Sequence, residues 1–136
     1  MANKTMKIVI DTNIFISFLL NDTYSKLDKY LQANNVQILF SEELLNELLN
    51  VVGRPKFKKY FSQNEIEGLL NNIHIHGDFV KVVSTVDICR DKKDNFLLAL
   101  CLDGSADYLV TGDQDLLVLK KFKKTVILKI VDFLQT

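Results

Sequence analysis

Short apolar runs alternate with longer segments of helical periodicity along this chain. The short runs have the length and β-branched composition of buried strands, and the longer segments repeat apolar residues at the spacing of an amphipathic helix. Alternation of the two favours an α/β fold, with a mainly parallel sheet flanked by helices on both faces. We predict about five strands, at residues 6–10, 36–40, 79–83, 108–111 and 126–130.

Two of the helical segments carry capping signals. Ser41 can cap a helix over residues 42–52, and this helix stops before Pro55 because proline disfavours helical geometry in the residue before it. Ser62, with Glu65 three residues later, forms a capping box for the next helix. The other predicted helical segments are residues 13–20, 24–34, a short turn at 56–60, and 93–102.

Composition indicates how many domains the chain forms and in which cellular compartment it is expected. A chain of 136 residues, 48% of them hydrophobic, has the size of one globular domain, so we expect a single domain over residues 1–136 with a loose N-terminal extension at 1–5. Apolar stretches stop well short of a bilayer span, so no transmembrane helix is expected. Cys89 and Cys101 lack CxxC spacing and no signal peptide precedes them, which favours reduced thiols in a cytoplasmic protein.

The charge balance excludes a strongly basic nucleic-acid binder. Basic and acidic residues number 17 each, so any contact with a polyanion must come from a local patch. Two basic stretches are candidates to contact RNA, although such runs are also typical of solvated faces whose aliphatic stems cover apolar surface. The candidate residues are Arg54, Lys56, Lys58 and Lys59 in the first stretch and Lys120 and Lys121 in the second.

Acidic residues directly follow two of the predicted strands. Asp11 comes after the run at 6–10, and Asp113 and Asp115 come after the run at 108–110. The carboxyl ends of parallel strands form the edge where open α/β sheets bind ligands, so these acids are expected to share a site. Converging carboxylates repel each other, and a hard divalent cation bound through oxygen keeps them ionised. Simple helix capping is the alternative explanation for each acid taken alone.

Two further acids fit the same site by helix geometry. At about 100° per residue, Glu47 lies at the edge of the apolar arc of its helix, beside Leu44 and Val51, and can reach over the rim of the sheet. Asp94 opens the buried helix on its inward face, at an N-terminus that stabilises negative charge. Asp91 could cap that helix instead.

Four segments, in this order along the chain, resemble the PIN-domain ribonucleases: residues 11–13, 41–48, 91–95 and 111–116. The resemblance spans nearly the whole chain and implies a single PIN-like α/β domain. Residues 54–57 and the helix opening at 94–95 look most like the branch formed by toxin components of toxin–antitoxin pairs. The chain departs mildly from this pattern at Arg90 and at residues 92–93, where family members vary.

The resemblance implies a site for one or two Mg²⁺ or Mn²⁺ ions. The acids that match the metal positions of the family are Asp11, Glu47, Asp94 and Asp113. The residues expected to orient these carboxylates are Asn13, Ser41, Thr111 and Asp115. The implied activity is hydrolysis of RNA phosphodiester bonds by water that the cation activates. The implied partners are an RNA substrate, a cognate antitoxin protein and a second copy of the chain, without a membrane.

Two other functions remain open at the level of sequence. A phosphatase with an aspartyl nucleophile also places Asp after its first strand, but Asn13 and Leu117 stand where its other acids are expected. A non-catalytic module could keep the PIN fold and bind RNA or protein through its basic faces. The pair His74 and His76 does not indicate a metal site, because residues two apart do not share a helix face.

Overall fold

A six-stranded sheet forms the centre of the computed structural model, which describes residues 5–20, 24–89, 91 and 94–135. Its strands are β1 (Met6–Ile10), β2 (Val36–Phe40), β3 (Asp78–Phe79), β4 (Tyr108–Val110), β5 (Lys121–Phe122) and β6 (Thr125–Leu128). The helices are α1 (Thr12–Leu20), α2 (Tyr24–Ala33), α3 (Glu42–Val52), α4 (Gln63–His76), α5 (Asn95–Gly104), α6 (Gln114–Leu117) and α7 (Ile130–Phe133), with a 3₁₀ turn at Pro55–Phe57.

The strand order, β3-β2-β1-β4-β6-β5, determines where a site can form. The chain runs outward from β1 through β2 to β3, and then returns to place β4 on the other side of β1. Every pairing is parallel except that of β5 with β6. The order therefore reverses between β1 and β4, and the crevice at the carboxyl ends of these two strands is the position where open α/β sheets bind ligands.

The core is built on β1 and α5. Ile8, Val9 and Ile10 are at most 2% exposed, because β1 is covered on both faces. Leu98 and Leu100 on α5 are fully buried, which confirms the prediction that the helix with an apolar surface on nearly every side lies inside the molecule. Burial of this kind fixes the carboxyl end of β1 and the amino end of α5 against each other.

The strand predicted at 79–83 forms only as the short β3. The following segment is held by a side chain instead of a ladder, since Asp103 accepts hydrogen bonds from the backbone N–H groups of Val83 at 2.6 Å and Ser84 at 2.8 Å. The Ser84 hydroxyl donates to the other oxygen of Asp103 at 2.5 Å. Val80, Val82 and Val86 pack against the hydrophobic core, so the alternation continues past the Val80 N–H, which donates to the Phe40 carbonyl of β2.

The end of the chain also differs from the prediction. The strand predicted at 126–130 ends at Leu128, and residues 130–133 turn into α7. A hairpin was not predicted: β5 pairs antiparallel with β6 through a turn in which Lys123 has a φ of 54°. The expected extension at 1–5 lies outside the described residues, apart from Thr5. Both cysteines are free and buried, and no described helix is long and apolar enough to span a membrane.

Candidate metal centre

Asp11 is held where β1 passes into α1. Its backbone N–H donates to the carbonyl of Val110 at 2.9 Å, which extends the β1–β4 ladder by one residue. Its carboxylate accepts hydrogen bonds from the Thr111 hydroxyl at 2.8 Å and from the backbone N–H of Asn13. Burial raises the pKa of Asp11 above its usual value, and the charges of Glu47 and Asp113 add to that rise, against the lowering effect of these hydrogen bonds.

Glu47 is oriented by Thr12, a residue that the sequence did not single out. The Thr12 hydroxyl donates to Oε2 of Glu47 at 2.5 Å, and Thr12 is only 3% exposed. This contact depends on the packing of α1 against α3, which periodicity does not specify. The only feature of the sequence that could have pointed to Thr12 as a site residue is its position directly after Asp11.

Asp94 is the most buried acid of the site, at 8% exposure. It occupies the N-cap position of α5 without making a side-chain capping bond, and its Oδ2 accepts no hydrogen bond from the described residues. Burial, the adjacent Asp113 carboxyl and the charges of Asp91 and Asp11 raise the pKa of Asp94 to about 7. Among the residues that the structure describes, this carboxyl has no partner that would stabilise its charge.

Asp113 and Asp115 approach Asp94 from the N-cap and the first turn of α6. Asp113 donates its backbone N–H to the Thr111 hydroxyl at 3.0 Å, and its Oδ1 accepts from the N–H of Asp115 at 2.9 Å. One carboxylate oxygen from each of Asp94, Asp113 and Asp115 lies within 4.8 Å of the other two. Because its hydroxyl also donates to Asp11, Thr111 links the acids of β1 and β4.

A single cavity of about 250 Å³ brings these acids together, and we call it the acidic pocket. It lies at the carboxyl edge of the sheet, where β1 and β4 end. It contains all four acids that the sequence proposed as metal ligands, and the residues that line it are Asp11, Thr12, Asn13, Glu47, Val51, Arg54, Asp91, Asp94, Phe96, Leu97 and Asp113.

The chemistry of the acidic pocket fits a hard divalent cation. Its acidic donors are carboxylate oxygens, which Mg²⁺ and Mn²⁺ prefer, and none of the described lining residues is a histidine or cysteine. Within the described part of the chain, the unpartnered Oδ2 of Asp94 and the raised pKa values of Asp11 and Asp94 are what converging acids that need a bound cation should show. Among the described residues that line the pocket, Arg54 carries positive charge.

Three sequence candidates lie elsewhere. Ser41 caps α3, since its hydroxyl accepts from the N–H of Leu44 at 3.2 Å, and it lines a separate cavity of about 220 Å³. Lys121 pairs with Val126 near the amino end of β6, which is the sheet edge opposite the acidic pocket, and the Lys120 carbonyl accepts from the next residue of β6. The structure therefore does not bring Ser41, Lys120 or Lys121 to the acids.

The other sequence candidates lie near the acidic pocket or on the surface. Arg54 lines the pocket, and Lys56, Lys58 and Lys59 are exposed on the turn that follows it. His74 and His76 are exposed on α4, and the His74 ring stacks on Phe79 with ring centres 5.3 Å apart. Neither histidine is among the residues that line the pocket.

The fold and the acidic pocket define a class of protein. A family model described as the PIN domain matches residues 7–115, and the chain therefore belongs to the PIN-domain family. The predicted α/β architecture is thereby confirmed: a mostly parallel central sheet flanked by helices. PIN domains are generally nucleases, which supports a hydrolase of phosphodiester bonds as the coarse function.

Two particular proteins are similar to this chain. The uncharacterized protein MJ1680 of Methanocaldococcus jannaschii is 28% identical over 128 residues, which cover 88% of this chain and 78% of that protein. The crystal structure of VapBC2 from Rickettsia felis bound to a DNA fragment from their promoter contains a similar fold. The match has a TM-score of 0.60 at 18% identity and covers 90% of this chain and 97% of that one.

Proposed function

We propose that this protein is a divalent-metal-dependent endoribonuclease that hydrolyses RNA phosphodiester bonds, and that it acts as the toxin of a toxin–antitoxin pair. The observation that carries the nuclease proposal is the convergence of Asp11, Glu47, Asp94 and Asp113 in one cavity at the switch point of the sheet. Membership of the PIN-domain family supports the same chemistry. The toxin role is supported by the sequence resemblance at residues 54–57 and 94–95 and by the fold shared with VapBC2.

Asp11 and Asp94 are the proposed direct ligands of the cation, and Glu47 and Asp113 either hold a second ion or accept a hydrogen bond from the attacking water. A cation bound here supplies Lewis-acid chemistry, because it neutralises charge on the phosphodiester and makes water more acidic. The free Oδ2 of Asp94 favours its assignment as a ligand, since it needs a positively charged partner when ionised.

The side chains around the acids have positioning tasks. Thr111 fixes the Asp11 carboxylate, and Thr12 fixes the Glu47 carboxylate so that its other oxygen can accept a proton from water. Asn13 supports Asp11 through its backbone N–H. Arg54, on the pocket wall, can bind the phosphate of the substrate through its planar guanidinium.

Cleavage of RNA in Mg²⁺ or Mn²⁺ tests the nuclease proposal directly. The wild-type protein is expected to cut a mixture of transfer and messenger RNAs, and excess EDTA is expected to stop cleavage. Asp11→Asn removes charge without volume and should abolish cutting with the fold intact. Asp28→Asn on α2 is the matched control, because Asp28 bonds to Gln32 and does not line the pocket. An Asp11→Asn protein that cuts at the wild-type rate would refute the assignment.

Growth after induced expression tests the toxin role separately. Wild-type protein should arrest growth of a bacterial host, and Asp11→Asn should not, since arrest requires cleavage. A small reading frame beside the gene that restores growth would identify the antitoxin. Equal growth arrest by both proteins would rule out a toxin that acts through this pocket, even if purified protein cuts RNA.

A further inference from the structure

The residues that follow α3 form a surface element next to the acidic pocket. We call residues 54–61 the basic turn. Its first residue, Arg54, lines the pocket and donates its N–H to the carbonyl of Val51, another lining residue, at 3.1 Å. Val51 belongs to α3, the helix that carries Glu47. The basic turn therefore leads directly away from the proposed catalytic acids.

Two of the three aromatic residues in the basic turn anchor it. Phe57 and Phe61 are partly buried against the hydrophobic core, with ring centres 6.2 Å apart. Successive backbone bonds tighten the chain between them: the N–H of Phe57 donates to the Arg54 carbonyl, and the N–H of Tyr60 donates to the Phe57 carbonyl, each at 2.9 Å. The position of the turn relative to the pocket is thus fixed by packing and hydrogen bonds.

The third aromatic residue faces solvent. Tyr60 is 51% exposed, and the Lys59 ammonium lies 5.1 Å from the centre of its ring. The turn contains no acidic residue, and its four cations are all exposed: Arg54, Lys56, Lys58 and Lys59. An exposed aromatic face beside cations is the combination that binds single-stranded nucleic acid, because the cations follow phosphates while the ring stacks on a base.

We infer that Tyr60 is a base-stacking residue and that the basic turn binds an unpaired stretch of RNA beside the acidic pocket. That the strand is RNA rests on the proposed function. Six residues separate Tyr60 from Arg54 and span at most about 20 Å even when fully extended, the length of about six stacked nucleotides. A strand whose base stacks on Tyr60 can therefore present a nearby phosphodiester to the acids. A base inside a duplex offers no free face to the ring.

The second basic stretch also places a cation over an aromatic ring, with the Lys123 ammonium 6.0 Å from the centre of Phe122, but its ring is not exposed as that of Tyr60 is. Phe122 is half-buried, and Lys124 pairs with Asp107 at 3.4 Å. Lys121 lies at the sheet edge opposite the pocket. Charge alone would make the two stretches equivalent, so this stretch serves as an internal control for the basic turn.

A tryptophan reporter tests stacking. The chain contains no tryptophan, so Tyr60→Trp introduces a single tryptophan, which is excited selectively over tyrosine at long wavelength, at the proposed stacking position. In an Asp11→Asn background with EDTA, a mixed-sequence RNA strand of about 12 nucleotides should quench this fluorophore strongly. The matched control is Val126→Trp, at 39% exposure on the opposite edge, which should not be quenched. Absence of quenching at position 60 under conditions where the RNA binds would overturn the inference.

Affinity and its salt dependence separate stacking from charge. In the same background, Tyr60→Ala should weaken binding of the single strand by about 5- to 100-fold, the effect of losing one base stack, and leave the salt slope unchanged. Tyr60→Phe keeps the ring and should bind like the parent. Lys59→Gln should reduce the slope by about 0.7, the value for one phosphate contact on a single strand, and Lys121→Gln should not.

The possible outcomes distinguish this inference from the nuclease proposal, because binding is measured without cleavage. If the wild type cuts RNA but Tyr60→Ala binds like its parent, the stacking surface is wrong and the nuclease stands. If the wild type fails to cut but the Tyr60 effects appear, the surface stands and the catalytic assignment fails. Binding of a duplex as tight as that of the single strand, or no binding at all, overturns the stacking surface.

Discussion

At the scale of single residues, Thr12 gives a test of how the Glu47 carboxylate is positioned. Thr12→Val keeps the shape of the side chain and removes the hydroxyl that donates to Glu47 at 2.5 Å. We expect Mn²⁺ affinity, measured by calorimetry, to fall about tenfold or more, as it does when supports of metal ligands are removed. Thr12→Ser restores the donor and should restore binding. Unchanged Mn²⁺ affinity in Thr12→Val would show that the contact has no positioning role.

Asp94 predicts how stability depends on pH when no metal is bound. Its pKa rises from 3.8 unfolded to about 7 folded, so the folded state binds the proton more tightly. The stabilisation that protonated Asp94 gives the folded state is full below about pH 4 and is lost as pH rises through 7. In EDTA, Asp94→Asn should therefore be more stable than wild type at pH 7.5, on the order of 1–3 kcal/mol, with a smaller gap at pH 5.

Urea unfolding at pH 5 and pH 7.5 measures the difference in unfolding free energy between Asp94→Asn and the wild type. Mg²⁺ should narrow the gap at pH 7.5 by stabilising the wild type more than Asp94→Asn, because the cation compensates the charge that the substitution removes. An Asp94→Asn protein that is less stable than wild type in EDTA at pH 7.5 would contradict the assignment of Asp94 as a buried acid whose charge the described residues leave uncompensated.

At the scale of elements, Asp103 on α5 holds the extended segment that follows β3. Its carboxylate accepts three hydrogen bonds from Val83 and Ser84, and these bonds lower its pKa. Asp103→Ala should speed hydrogen exchange at the amides of residues 83 and 84, whereas Asp87→Ala, an exposed acid of the same segment, should not. Exchange rates that do not respond to Asp103→Ala would mean that packing alone holds the segment.

The same segment shows what sequence patterns can and cannot predict. The bounds of β1, β2 and α3 follow from apolar runs and the Ser41 cap, since local chemistry determines them. Residues 80–83 have the alternation of a strand, but the Val80 N–H is the last within the described residues that donates to β2, and the Val83 N–H donates to Asp103 of α5. The β5–β6 hairpin depends on the left-handed backbone conformation of Lys123, which a lysine at this position does not predict.

At the scale of the whole molecule, strand order accounts for the acidic pocket. The position of Asp11 and Asp113 after two apolar runs was readable from sequence, and the reversal of order between β1 and β4 brings them together. The contact between Thr12 and Glu47, and the separation of the two basic stretches onto different parts of the molecule, depend on tertiary packing. The acids at the strand ends were therefore readable from sequence, whereas the contact of Thr12 with Glu47, which needs α1 to pack on α3, was not.

The most direct measurement is an anomalous difference map from a crystal of the wild-type protein soaked in Mn²⁺. We expect a peak in the acidic pocket, in direct coordination contact with carboxylate oxygens of Asp11 and Asp94, and no such peak in Asp11→Asn. A well-occupied Mn²⁺ bound elsewhere on the molecule, with Asp11 and Asp94 making no contact to any ion, would contradict this expectation.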